Sequence, residues 1–194
     1  MSRMKFEGLL ENEFTLSDKA LRNKNTAYSD VIDVPVENLV LDEENITIFG
    51  DFSQDSIDSL SKDIENDGFK GAILAYPIRK DGDLQFYQIE SGHKRYLAAK
   101  QAGLKKVPVI VTEIPKSDAE RRLRLISMNL HTRETPKPSI LANETAILLN
   151  SIRELREEEG LSTDMTTLTQ LVAERMERST KAIEKYRQFR KLIP

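Results

Sequence analysis

The stretch Ile89-Glu-Ser-Gly-His-Lys-Arg-Tyr-Leu-Ala-Ala-Lys-Gln-Ala-Gly103 decides how the rest of the 194-residue chain is read. It predicts a strand ending at Ile89, a turn on Gly92, and a helix that stops at a C-capping Gly103. His93, Lys94 and Arg95, three side chains able to carry positive charge, stand at the start of that helix. A helix start already exposes unpaired N–H groups and the positive end of the macrodipole, so cations there oppose helix stability. A bound anion, such as a phosphate, would give the placement a reason. The alternative is that Lys94 and Arg95 are ordinary solvated surface charges. The flanks favour the anion. Leu84-Gln-Phe-Tyr-Gln-Ile-Glu90 alternates like a strand, and Lys105-Lys-Val-Pro-Val-Ile-Val-Thr112 opens another. Strand, basic turn, helix, glycine, strand is the layout expected of a phosphate site on an α/β layer.

Working upstream, Asp81-Gly82 predicts a hairpin turn between that strand and Ile73-Leu-Ala-Tyr-Pro-Ile-Arg79. Pro77 inside the latter suggests an edge position, because proline cannot donate to a ladder. Asp51–Gly68 reads as a helix with Ile57, Leu60 and Ile64 on one stripe, Ser53 as N-cap and Gly68 closing it. Val31-Ile-Asp-Val-Pro-Val36 reads as the opening strand, and residues 1–30 as a poorly ordered leader. Downstream, Ser117–His131 predicts a helix with a basic face of Arg121, Arg122 and Arg124. Pro136 and Pro138 break the chain before a helix of about five turns that Ser139 would cap.

The net charge of −3 conceals a strong segregation. Met1–Gly92 holds 9 basic and 19 acidic residues, whereas His93–Arg133 holds 10 basic and 3 acidic ones. Leu161–Pro194 is also basic, with 7 against 4. Anionic partners are therefore expected behind the basic turn and at the C-terminus. The chain has no Cys, which removes disulfides, thiol catalysis and Cys-ligated zinc, and its two histidines cannot build a His-rich metal site. No apolar run approaches the roughly 20 residues of a membrane span. A soluble, cytoplasmic protein with no membrane partner is expected.

The C-terminal segment carries a second pattern. Thr166–Met176 places Leu168, Leu171, Val172 and Met176 on one helical face, Glu177-Arg178 makes a tight turn, and Ser179 N-caps a further helix. This predicts a helix-turn-helix whose second helix enters a DNA groove. A plain helical hairpin with surface charge is the competing reading.

Ser91-Gly92-His93-Lys94-Arg95-Tyr96-Leu97-Ala98-Ala99, with Ala102-Gly103-Leu104 and Val107-Pro-Val-Ile-Val111 behind it, resembles the nucleotide-binding box of the ParB/sulfiredoxin-like family. In ParB proteins that box commonly reads G-E-R-R-x-R-A. Gly92, Arg95 and Ala98 match, and Lys94 keeps an Arg's charge. His93 stands where ParB has Glu, and Leu97 where it has a further Arg. Sulfiredoxins carry their catalytic Cys at the His93 position, so the absence of Cys excludes their reductase chemistry. Met128-Asn-Leu-His-Thr-Arg133 resembles the family's E-N-L-Q-R box, with Asn129, Leu130 and, after one inserted residue, Arg133 matching. Met128 replaces the Glu that in the family helps hold magnesium. The family's Q-P-R element has no counterpart between Val40 and Phe52. Tyr186–Pro194 is similar to the L-x-x-L-L-x-L-P ending of the ParB helix-turn-helix.

The resemblance implies an α+β fold: a small mixed-sheet ParB/sulfiredoxin-like domain over residues 31–115, an all-helical linker over 116–160, and a helix-turn-helix over 161–194. It implies a CTP-type nucleotide on Ser91, Gly92, His93, Lys94, Arg95, Asn129 and Arg133, with Asn129 also toward Mg2+. Double-stranded DNA would meet Arg175, Arg178, Ser179, Thr180, Lys181, Lys185 and Arg187. The implied role is a DNA clamp of plasmid, chromosome or mobile-element partition. A homodimer, a ParA-type ATPase partner and a nucleoid- or plasmid-associated location come with it. No catalytic residue is assigned, and hydrolysis would be at most weak CTPase activity, because the family's Glu and Gln positions are substituted. A nucleotide-independent DNA-binding adaptor with a degenerate pocket, and a ParB-like nuclease, are the alternatives.

Overall fold

The computed structural model describes residues 31–130 and 137–191; the expected leader and the final Leu192–Pro194 lie outside them. Strand β1 (Val31–Pro35) leads through a 3₁₀ turn (Val36–Asn38) into the short β2 (Leu39–Val40). Helices α1 (Glu43–Phe49) and α2 (Gln54–Asp67) precede the hairpin of β3 (Ile73–Asp81) and β4 (Leu84–Ser91). Then come α3 (His93–Gln101), β5 (Lys106–Val111), α4 (Asp118–Asn129), α5 (Pro138–Glu158), α6 (Met165–Arg175) and α7 (Thr180–Arg190). The five strands form one mixed sheet in the order β1-β5-β3-β4-β2. β1/β5 and β3/β4 pair antiparallel, and β3/β5 and β2/β4 pair parallel.

Pro77 corrects the expectation of an edge strand: β3 is the central strand. It is tolerated because β5 pairs with β3 only from Ile73 to Ala75, and the β3–β4 register shifts between Pro77 and Arg79. Proline's missing donor falls where the ladder is already irregular on one side and unpaired on the other. The turn residues behave as expected, with Gly82 at φ +58° between β3 and β4 and Gly68 at φ +81° ending α2.

Two apolar clusters organise the chain. One lies between the sheet and helices α2 and α3, built on Ile73, Ala75, Ile89, Ala98, Val107 and Val109. The other gathers α4–α7 around Ile126, Leu148, Leu168, Val172 and Ile183. Helix α1 falls between β2 and α2 in sequence, yet its Ile48 and Phe49 pack into the helical cluster. Nothing in the sequence pattern announced this helix. Asp42 starts it, accepting the Glu44 N–H at 3.0 Å.

The arginines of α4 are not a free basic face. Arg121 pairs with Asp42 at 2.6 Å and with Glu44 at 2.7 Å, and Arg122 reaches Glu44 at 3.3 Å. Arg124 is buried, 2.6 Å from Glu120, and donates to the Glu113 carbonyl at 2.7 Å. These contacts tether α4 to α1 and to the sheet, so part of the charge excess after His93 is neutralised inside the molecule. The start of α5 also differs from expectation. Lys137, not Ser139, occupies the N-cap, with Pro138 pre-set for the first helical position.

Candidate functional site

Strand β4 turns into α3 through Gly92, at φ +102°. A side chain there would meet Ile73 Cγ1 and Arg95 Nη2, each at 3.3 Å, so the sharp turn requires glycine twice over. The first intrahelical bond runs from the Tyr96 N–H to the Gly92 carbonyl at 2.9 Å. The N–H groups of His93, Lys94 and Arg95 therefore lack acceptors within the helix, and no side chain caps them.

This turn opens onto a cleft of about 800 Å³. One wall is Ser91–Arg95; the others come from Asn45 and Phe49–Ser53 around α1, from Asn129 at the end of α4, and from Lys137, Ser139 and Ile140 at the start of α5. Three helices thus begin at the cleft: α2 at Ser53, α3 at Gly92 and α5 at Lys137. None of the three has a side-chain bond at its N-cap. The other four helices among the described residues all do, through Asp42, Ser117, Asp164 and Ser179. Uncapped N–H groups and positive dipole ends converge on one space, which is the physical signature of an anion site. Lys94, Arg95 and Lys137 add three cations to a lining in which Asp51 is the one carboxylate among the described residues.

Arg95 is half-buried, and burial lowers the pKa of its guanidinium. That group lies against Gly71, where an added Cβ would sit 2.9 Å from Nη1, so Gly71 (φ +80°) makes its space. His93 departs from the reading of it as a cation. It is 3% exposed. Burial pushes its pKa down to about 4, with Asp42 pulling the other way, so the imidazole is neutral near pH 7. Its Nε2 is buried without a hydrogen-bond partner, and so is Oδ1 of Asn45, another residue of the cleft wall. Asn129 donates its amide nitrogen to the Leu125 carbonyl at 2.7 Å. Arg133 lies outside the described residues.

Ser91, Gly92, His93, Lys94, Arg95 and Asn129 are thus brought together on one cleft. Sequence reasoning missed Asn45, Phe49, Ser53, Ser56 and Lys137. Only Lys137 left a legible sign, a Lys-Pro helix start with no capping residue. The residues present fit a polyphosphate, through cations and free N–H donors. They fit magnesium poorly. Asp51 is the one carboxylate among the described lining residues, the other oxygen side chains being Ser hydroxyls and the amides of Asn45 and Asn129, and no three ionisable metal ligands cluster among the described residues.

At the other end, α6 and α7 are joined by a turn in which Glu177 has φ +51°. Ser179 caps α7 by accepting the Ala182 N–H at 3.2 Å. Ile183 is fully buried and anchors α7 in the helical cluster. Arg178, Ser179, Thr180, Lys181 and Lys185 are exposed around the turn and the first turns of α7, and Arg187 is half-buried. Arg175 is drawn inward, donating to Ser127 Oγ at 2.7 Å and so linking α6 to α4.

The model of the ParB N-terminal domain matches residues 21–130. The chromosome-partitioning protein ParB of Myxococcus xanthus is 34% identical over 89 residues, which cover 46% of this chain and 28% of that protein's length. Among solved structures, a Pnob8-like ParB-N domain superposes with a TM-score of 0.57 at 15% identity, covering 81% of this chain and 69% of that one. C-terminally truncated ParB from Caulobacter crescentus, complexed to the centromeric parS site, gives 0.52 at 22% identity over 84% and 73%. The same truncated protein complexed with CTP-gamma-S gives 0.46 at 22% identity over 86% and 81%. The five-stranded mixed sheet with its helices is the ParB-N fold, no described helix is long and apolar enough to cross a membrane, and the chain belongs to the ParB N-terminal domain family.

Proposed function

We propose that this chain is a DNA-binding partition protein that takes a nucleoside triphosphate, CTP by family, in the cleft between its two apolar clusters. The observation that carries the reading is the convergence of three uncapped helix starts with Lys94, Arg95 and Lys137. Its walls come from both clusters, so an occupant would draw the sheet domain and the helical part together. That would let nucleotide binding switch a clamp of two chains on DNA. The α6–α7 pair would serve as the helix-turn-helix, with Arg178, Ser179, Thr180, Lys181 and Lys185 toward DNA and Arg187 beside them. Arg175, already bonded to Ser127, would support that pair from behind. A ParA-type ATPase partner follows by family.

Calorimetry with CTP, using ATP and GTP as controls, tests the reading. Selective CTP binding that is lost in Arg95→Ala, with DNA binding retained, is the expected result. Failure of every nucleotide to bind would instead favour a nucleotide-independent DNA adaptor. The specific observation on that side is the buried, neutral His93 where ParB proteins have Glu.

A further inference from the structure

We infer that this cleft holds the polyphosphate of its nucleotide without a magnesium ion, Lys137 and the start of α5 supplying the positive charge that a metal would bring. The inference rests on the nucleotide reading above.

Lysine is an unfavourable N-cap: it offers no acceptor to the first N–H groups, and its charge faces the positive end of a 21-residue helix. Pro138 has no N–H, and the Leu141 N–H already bonds the Lys137 carbonyl at 3.1 Å. The donors left without intrahelical acceptors are those of Ser139 and Ile140, and both residues line the cleft. The same lining contains the α3 start with Lys94 and Arg95, from the other apolar cluster. An anion lying between them would satisfy donors and cations from both sides at once.

A divalent cation meets the opposite situation. Among the described lining residues, three side-chain cations and three positive helix ends repel it, against the one exposed carboxylate of Asp51. The other oxygen side chains of the described lining are the hydroxyls of Ser53, Ser56, Ser91 and Ser139 and the amides of Asn45 and Asn129, whereas magnesium favours carboxylate oxygens. Independently of the helix ends, His93 Nε2 and Asn45 Oδ1 are buried in the cleft wall without partners. His93 Nε2 in its N–H tautomer can donate to an anion, whereas Asn45 Oδ1 only accepts and calls for a donor elsewhere on the occupant, not for its phosphates.

The test is calorimetry on the full chain with CTP and, separately, inorganic tripolyphosphate, each in excess Mg2+ and in excess EDTA. Both probes are expected to bind in EDTA at least as tightly as in Mg2+. Lys137→Met should weaken EDTA binding about tenfold, the loss of one charge-assisted contact, and Lys137→Arg should restore it. Lys137 is exposed, so the Met variant should keep the wild-type melting temperature. Binding more than about threefold tighter with Mg2+, or unaltered EDTA binding in Lys137→Met, overturns the inference and leaves the nucleotide reading standing. Failure of CTP to bind under both conditions overturns the two together.

Discussion

Replacing Arg124 by Met isolates the contact that holds α4 to the sheet. In the folded protein its guanidinium is 2.6 Å from Glu120 and 3.6 Å from Glu90, and it donates to the Glu113 carbonyl at 2.7 Å. Both carboxylates are buried, Glu120 at 4% and Glu90 at 3% exposure. Methionine fills much of the arginine's volume, so the change removes charge and hydrogen bonds more than packing. Removing one partner of a buried ion pair costs about 3–5 kcal/mol. Here each stranded carboxylate keeps one bond: Glu120 accepts the Lys116 N–H at 2.7 Å, and Glu90 accepts the Thr112 hydroxyl at 2.6 Å. The lower end, about 3 kcal/mol at pH 7, is therefore expected.

The pH dependence distinguishes this account from simple loss of packing. Burial already raises the Glu90 pKa above its ordinary 4.5, with Thr112 and Arg124 opposing the rise. A carboxyl whose folded pKa is raised binds more protons folded than unfolded between the two values, so stability falls as pH climbs through that interval. Without Arg124 the interval widens upward. The difference between wild type and Arg124→Met, from urea melts, should be smaller at pH 5 than at pH 8. A difference that stays constant over that range, or lies below about 1 kcal/mol at pH 7, refutes the reasoning.

Asp42→Ala removes both the cap of α1 and the partner of Arg121, and should cost about 2–3 kcal/mol in urea melts. Loss of less than about 1 kcal/mol would mean that Glu44 alone anchors Arg121. His93, with its pKa near 4, should stay predominantly neutral by NMR between pH 5 and 8, with no titration midpoint in that range. Between its ordinary 6.5 and about 4 only the unfolded chain takes up this proton, so stability is lost as pH falls through that interval, about 3 kcal/mol by its lower end. The double variant Lys181→Ala, Lys185→Ala should reduce the slope of log affinity against log salt for duplex DNA by about 2, measured by fluorescence anisotropy. An unchanged slope would remove α7 from the DNA interface.

Much of the fold was legible because its signals act over a few residues. Gly92 marks a backbone position that only glycine occupies comfortably, Asp81-Gly82 a tight turn, and Ser117 and Ser179 caps for unpaired N–H groups. These are matters of local sterics and local hydrogen bonding: Gly92, the Asp81-Gly82 turn and the Ser179 cap appear where the pattern put them, and Ser117 caps the helix read as starting there. The basic turn before α3 was legible for the same reason: cations at a helix start conflict with the dipole whatever the helix packs against.

What could not be read locally depended on groups far apart in the chain. Whether Arg121 and Arg124 were surface charge or internal ties was decided by how far each is buried and by carboxylates outside α4, Asp42 79 residues from Arg121 and Glu90 on β4 beside Arg124. His93 reads as a cation in any list of side chains, and packing makes it neutral because a buried imidazole loses the hydration that its charge needs. The opposite wall of the cleft, Asn45 on α1 and Lys137 at α5, exists only because Ile48 and Phe49 join the helical cluster and carry α1 with them. Short-range sterics can be written into consecutive residues; charge state, and the two sides of a cleft, are set by which surfaces the folded chain brings within reach.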